Sequence, residues 1–202
     1  MRYSADHRQL TRKKILDAAA RRFRAEGYDG LGIDGLAKAA GVTNGAFYGH
    51  FDSKADAFRE VAIQGLVELR EGIERYRAEY GVEWLAAFTR FYFSAGKIGC
   101  AENACALPSF APEMVRASEA TRAGFERELQ SVAHAVADGL PGADGAARLD
   151  RAWTILALWA GGVMLARSVS DEGVREGMIA ACASAILATA AGQLPTETSR
   201  HG

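Results

Sequence analysis

The sequence has no charge excess, few prolines and cysteines, and no strand-like patterning. With 24 basic and 25 acidic side chains its formal net charge is -1, so the chain as a whole is not drawn to nucleic acid or to an anionic membrane. Three cysteines are too few for a disulfide framework. An odd number of them, in a chain whose opening residues Met1 to Lys14 are polar and lack an apolar export segment, predicts reduced thiols and a cytoplasmic setting. The longest uncharged apolar run, Ala152 to Ala166 between Arg151 and Arg167, falls short of the roughly twenty residues that span a bilayer. It reads as a buried helix, and no membrane partner is expected. No segment alternates apolar and polar residues over a useful length, so the predicted fold is all-α with about nine helices.

Chemistry of the enzymatic kind is equally scarce. His7, His50, His134 and His201 lack ligand spacing, and Cys100 and Cys105 have no second pair, so no metal and no cofactor are expected. A cysteine nucleophile with His134 as base is possible on residue types alone, yet nothing in the sequence brings them together. The Gly-rich turn GYDGLG at residues 27–32 follows no strand and reads as a helix connection rather than a phosphate loop.

The charge is unevenly placed. Residues 1–55 carry ten Lys or Arg against six Asp or Glu, or +4, which leaves -5 for the remainder. A basic head on an acidic body suits a phosphate-binding module joined to an effector or interaction domain. The expected domains are 1–55, binding DNA, and 56–202, binding an effector and a second copy of the chain.

Within the head, the stretch IDGLAKAAGVTNGAFYGHFDSK, Ile33 to Lys54, carries the densest signal. Ile33, Leu36, Ala37 and Ala40 recur at helical spacing, and Gly41 can end that helix in a left-handed conformation. Val42 is an apolar plug, and Thr43 can cap a second helix of about Asn44 to His50. Phe47 and Phe51 anchor that helix, which leaves Asn44, Gly45, Ala46, Tyr48, Gly49 and His50 on a face able to enter a DNA major groove. Thr43, Tyr48, His50 and Lys54 are the phosphate-contact candidates. Asn44 can pair with adenine, Ala46 can meet a thymine methyl, and Gly45 and Gly49 permit close approach.

The run GVTNGAFYGHFDSKADAF resembles the N-terminal DNA-binding signature of the TetR family of bacterial transcriptional regulators. Gly41, Thr43, Gly45, Tyr48, His50, Phe51 and Lys54 carry the resemblance, which covers residues 10 to 60 closely. Leu31 and Gly32 depart from it, standing where similar proteins usually have Thr or Ser, and Asn44 stands where a basic residue is common. The resemblance implies a homodimeric regulator that binds a palindromic double-stranded DNA operator, most simply a repressor released by a small-molecule effector. It also implies dimerisation through the last two helices.

The remaining chain reads as helices joined by turns. Residues 1–8 form a polar arm, a first helix covers Gln9 to Glu26, and Ser53 can cap a long fourth helix. Trp84, Phe88, Phe91 and Tyr92, with Cys105, Phe110 and Phe125, are the candidates for lining an effector cavity, although core packing is preferred for any single ring. Residues 96–112 read as irregular and 112–138 as one helix. The final pair, about Ala146 to Ser168 and Asp171 to Gly192, is rich in small residues. Trp153, Leu156, Ala157, Ala160, Gly161, Met164, Ala181 and Ala185 are the dimer candidates, because one face of this pair is too apolar for a monomer. The tail from Leu194 is polar. CALPSFAPEM resembles a Cys-containing stretch of TetR-like effector domains, which raises a thiol-sensing alternative at Cys105 or Cys100. An all-α enzyme or scaffold with a similar head is the remote alternative.

Overall fold

Polar caps and a left-handed glycine set the ends of the helices that matter most for function. The structure, a computed structural model, describes residues 2–193, with side chains from residue 6. The tail from Leu194, and with it His201, lies outside the described residues. Among those described there is no strand, and the expected all-α class holds. They form ten α-helices: α1 Arg2–Glu26, α2 Ile33–Ala40, α3 Asn44–Tyr48, α4 Lys54–Tyr80, α5 Trp84–Tyr92, α6 Ala95–Gly99, α7 Ala106–Met114, α8 Glu119–Ala137, α9 Gly145–Ser168 and α10 Glu172–Ala190.

The chain divides into two compact units. One comprises residues up to Glu68 together with Cys100–Glu128, and the other Leu69–Gly99 together with the residues from Leu129 onward. Helices α4 and α8 each contribute to both.

In the first unit, Ile15, Ala19 and Phe23 of α1 are buried, as are Leu36, Phe47, Phe51, Phe58 and Leu66. Phe58 meets Phe23 and Phe110 edge to face, with ring centres 5.2 and 5.5 Å apart. Such pairs add roughly 0.5–1.5 kcal/mol each beyond the area they bury. Two expectations are corrected here. The polar arm is helical from Arg2, because no Gly or Pro interrupts residues 2–26. Residues 112–138 are not one helix: Pro112 lies inside α7, and α8 begins only at Glu119. Pro108 falls in the first turn of α7, where its missing N–H has no intrahelical partner to lose. Ser118 restarts the helix, its hydroxyl oxygen accepting the Thr121 N–H at 3.3 Å.

The second unit is built around aromatic rings. Trp159 is fully buried between Phe88 and Tyr92, with centroids at 5.0 and 5.5 Å. Its indole N–H donates to the buried Thr89 hydroxyl at 3.1 Å. The Trp84 N–H donates to the Gly139 carbonyl at 3.0 Å, so each indole keeps a partner on leaving water. Asp144 and Asp171 cap α9 and α10 by accepting the N–H groups of Ala146 and Val174 at 2.9 and 2.8 Å. Both helices are long and apolar enough to cross a membrane by length and composition alone. In α9 that character serves a packed core, since Ile155, Leu156, Trp159 and Val163 are buried within the unit.

Candidate nucleic-acid interface

The segment from Ile33 to Lys54 forms two short helices whose angle is set by three residues. Gly41 adopts φ 67° and ψ 33°, which ends α2. Its N–H reaches the Lys38 carbonyl at 3.1 Å, and that of Val42 reaches Ala37 at 3.0 Å. A side chain at Gly41 would meet no neighbour within 4 Å, so the requirement is for the backbone conformation and not for space. Thr43 is extended, and its hydroxyl oxygen accepts the Ala46 N–H at 3.1 Å to open α3. The hydroxyl hydrogen is left to donate elsewhere.

Phe47 fixes the rotation of α3. It is fully buried, with its ring 5.5 Å from that of Phe51. Thr43, Asn44, Gly45, Tyr48 and Gly49 are consequently exposed, and Ala46 and His50 half-buried. Tyr48 is 55% exposed. The structure therefore leaves the candidate contacts from Thr43 to His50 exposed or half-buried around the buried Phe47.

Lys54 has a different employment. Its ammonium donates to the Tyr28 and Leu31 carbonyls at 3.0 and 3.2 Å and stands 4.1 Å from the centre of the Tyr28 ring. It ties the turn between α1 and α2 to the start of α4. An ammonium has three N–H donors, and these two carbonyls engage two of them. Leu31, one of the departures from the family pattern, is buried, and Gly32 begins α2 without a side-chain cap.

Sequence reading missed two features. The first is a pair of arginines on α1. Arg8, assigned there to a polar arm, donates to the Gly49 carbonyl at 3.3 Å, which puts a guanidinium at the far end of α3. Arg12 lies over the Phe51 ring at 4.9 Å and pairs with Glu60. Burial, and then the charges of Arg8 and Arg12, push the His50 pKa below its ordinary 6.5. The i, i+4 spacing of Arg8 and Arg12 in a stretch free of helix breakers was the available signal. The second is Asp34 in the first turn of α2, whose carboxylate accepts a hydrogen bond from the Asn44 side-chain amide.

The remaining candidates are spread over the two units. Trp84, Phe88 and Tyr92 are buried in one, with Phe91 exposed beside them, while Phe110 and Phe125 are buried in the other. An open surface depression is lined by Pro141, Gly142, Ala147, Asp150, Arg151, Ala191 and Gly192, none of which is a candidate. Cys100, Cys105 and Cys182 are half-buried and form no disulfide among the described residues, and the thiol-sensing alternative is not favoured. Among the described residues no three His, Cys, Asp or Glu gather as metal ligands. Of the dimer candidates, Trp153, Ala157, Met164, Ala181 and Ala185 are exposed, and Ala160 and Gly161 are half-buried. Leu156, at 3% exposure, packs inside its own unit instead, and this corrects its placement on the outer face.

Residues 15–61 match the family model described as bacterial regulatory proteins, tetR family. The HTH-type transcriptional regulator AcrR of Shigella flexneri is 49% identical over 53 residues, covering 26% of this chain and 25% of the relative. The HTH-type transcriptional repressor Rv1474c of Mycobacterium tuberculosis is 35% identical over 92 residues, 46% of each chain. The chain thus matches less than half the length of these relatives. A TetR-family regulator from Agrobacterium tumefaciens has the same fold at TM-score 0.74 and 18% identity, covering 89% of this chain and 98% of that one. FadR from Bacillus subtilis, solved with stearoyl-CoA, superposes at TM-score 0.64 and 19% identity over 89% and 98%. The relatives are regulators and not enzymes. The head, residues 15–61, thus matches the TetR-family DNA-binding model, and the chain along nearly its whole length shares the fold of solved TetR-family regulators.

Proposed function

We propose that the protein is a homodimeric transcriptional repressor that binds a palindromic DNA operator through α3 and is released by a small-molecule effector. The observation that carries this reading is the surface from Thr43 to His50. It is held by the Gly41 turn, the Thr43 cap and the buried Phe47, and it offers hydroxyl, amide and imidazole groups around glycines small enough to admit a DNA backbone. Thr43, Tyr48, His50 and Arg8 serve phosphates, Asn44 and Ala46 serve bases, and Lys54 chiefly braces the head.

Dimerisation is supported by the outer face of α9 and α10. Trp153 and Met164 are 37% and 48% exposed there, beside the small residues Ala157, Gly161, Ala181 and Ala185. An apolar face of that kind, on two antiparallel helices, is suited to a four-helix bundle with a second copy. Such a dimer would place two α3 helices about one DNA turn, roughly 34–36 Å, apart. Effector release is supported by the fatty-acyl ligand of the similarly folded FadR. The residues 54–80 of α4 run from the head unit into the other, which makes that helix the natural lever between effector and operator. The setting is cytoplasmic.

The test is selection from a pool of randomised duplex DNA by the purified full chain. Enrichment of a sequence with two-fold symmetry supports the reading. A pool that stays random after repeated rounds, with the protein folded and dimeric by sedimentation, contradicts it.

A further inference from the structure

Asn44, the first residue of α3, and Asp34, in the first turn of α2, are both exposed, and the Asn44 side-chain nitrogen donates to the Asp34 carboxylate. An ionised carboxylate only accepts hydrogen bonds. The Asn44 amide is therefore not free to flip: its NH2 must face Asp34, and its carbonyl oxygen must face the other way. One N–H remains on the nitrogen, together with that carbonyl oxygen.

We propose that Asp34 is a specificity-determining residue, which locks the Asn44 amide so that it reads adenine and rejects guanine in the major groove. This rests on the proposed base-reading role of Asn44. Adenine presents an acceptor, N7, beside a donor, the N6 amino group, and a planar amide matches both with one N–H and its carbonyl oxygen. Those two atoms are what the Asp34 contact leaves, provided Asp34 holds the N–H that points away from the carbonyl. Guanine presents two acceptors, N7 and O6. A freely turning amide could swing its NH2 onto them, but one held by Asp34 sets its carbonyl oxygen against a guanine acceptor. The locking group also sits outside the reading helix, on α2, so it acts on base choice without itself occupying the groove position of Asn44. Its negative charge would weaken phosphate binding, so a purely affinity-building head would gain from its loss. Its presence is explained by discrimination.

The experiment compares selection from randomised duplex DNA by the wild-type chain, Asn44→Ala, Asp34→Ala and Asp34→Asn, with circular dichroism melting on each. The wild type should enrich sequences with adenine at one fixed position of each half-site, against guanine by on the order of tenfold. Asn44→Ala should lose the preference there and nowhere else. Asp34→Ala and Asp34→Asn should keep every other position and accept guanine at that one; Asp34→Asn retains a hydrogen-bonding side chain of the same shape but no longer dictates which way the amide faces. Asp34 variants with the wild-type preference, or with all positions relaxed equally, overturn the proposal and leave the regulator reading intact. A wild-type chain that enriches nothing overturns both.

Discussion

From Thr43 to His50 the small residues Gly45, Ala46 and Gly49 are interleaved with hydroxyl, amide and imidazole groups, whereas on α9 and α10 Ala157, Ala160, Gly161, Ala181 and Ala185 are interleaved with Trp153 and Met164. Both surfaces keep their small residues at or near solvent, and both lie on helices whose opposite faces are buried. What differs is the chemistry between the gaps. Polar groups of fixed direction suit a partner with a pattern of donors and acceptors, and apolar bulk suits a partner that is equally apolar. Under the proposed function the same device, a helix trimmed so that another molecule can come close, would serve DNA in one region and a second copy of the chain in the other.

The largest effect is expected at the residue that orients the polar surface. Phe47→Ala empties a fully buried site and should cost about 3–5 kcal/mol. DNA binding should vanish while sedimentation still reports a dimer, since no dimer candidate lies in the head. Loss of both together would show that the two surfaces are not separable.

Two adjacent glycines sharpen the apolar side. A Cβ at Gly162 would stand 2.8 Å from the Phe93 ring, whereas at Gly161 it would meet nothing within 4 Å of its own chain. Gly162→Ala should therefore lower the melting temperature of the chain itself, by overpacking worth about 1–3 kcal/mol. Gly161→Leu should weaken the dimer by a similar amount and leave the protomer core alone. Sedimentation equilibrium with thermal melts separates the two, and an unperturbed dimer in Gly161→Leu removes that residue from the interface.

At Gly45 the same test applies to DNA. A methyl there would lie 3.9 Å from the Thr43 hydroxyl and clash with nothing, so Gly45→Ala should raise helix stability by up to about 1 kcal/mol. If backbone approach to DNA is what this glycine provides, operator affinity should nonetheless fall by roughly 1 kcal/mol or more. A Gly45→Ala chain that binds as well as the wild type would mean that α3 stands farther from the groove.

The smallest effect concerns His50. Its pKa is lowered by burial and then by Arg8 and Arg12, so the free protein holds it neutral at pH 7. Protonation is disfavoured in the folded state, and stability should decline as pH falls from 6.5 through that lowered value. A phosphate acts oppositely by favouring the charged form, so binding takes up a proton and affinity should rise over the same acid range. His50→Gln should flatten this pH dependence in fluorescence titrations; a wild-type chain with no pH dependence would remove His50 from the phosphate contacts.

Much of this was legible in the sequence because local chemistry decides it. Gly41, Thr43 and Phe47 act within a few residues, so their turn, cap and anchor can be read from spacing alone. The apolar run of α9, Ala152 to Ala166, is legible for the same reason. Long-range contacts were not. Lys54 looks like a surface cation in sequence, yet the two carbonyls it binds lie 26 and 23 residues earlier. Leu156 lies at the edge between the exposed stripe of α9 and the buried one of Ala152, Trp159 and Val163, and spacing alone does not say on which side of that edge it falls. Arg8 and Asp34 gain meaning only through Gly49 and Asn44, partners that no periodicity indicates. Pro112 misled because proline propensity argues against a helix interior, and tertiary packing of α7 overrode it.

Whether two copies of the Thr43–His50 surface read one symmetric site is tested by an anisotropy titration on three duplexes at physiological salt. These are the palindrome enriched from the random pool, the same DNA with one half-site scrambled, and a fully scrambled control. One dimer should bind the palindrome on the order of a thousandfold or more tighter than the control, with most of that advantage lost when one half-site is scrambled. Equal affinity for the palindrome and the control would contradict that reading.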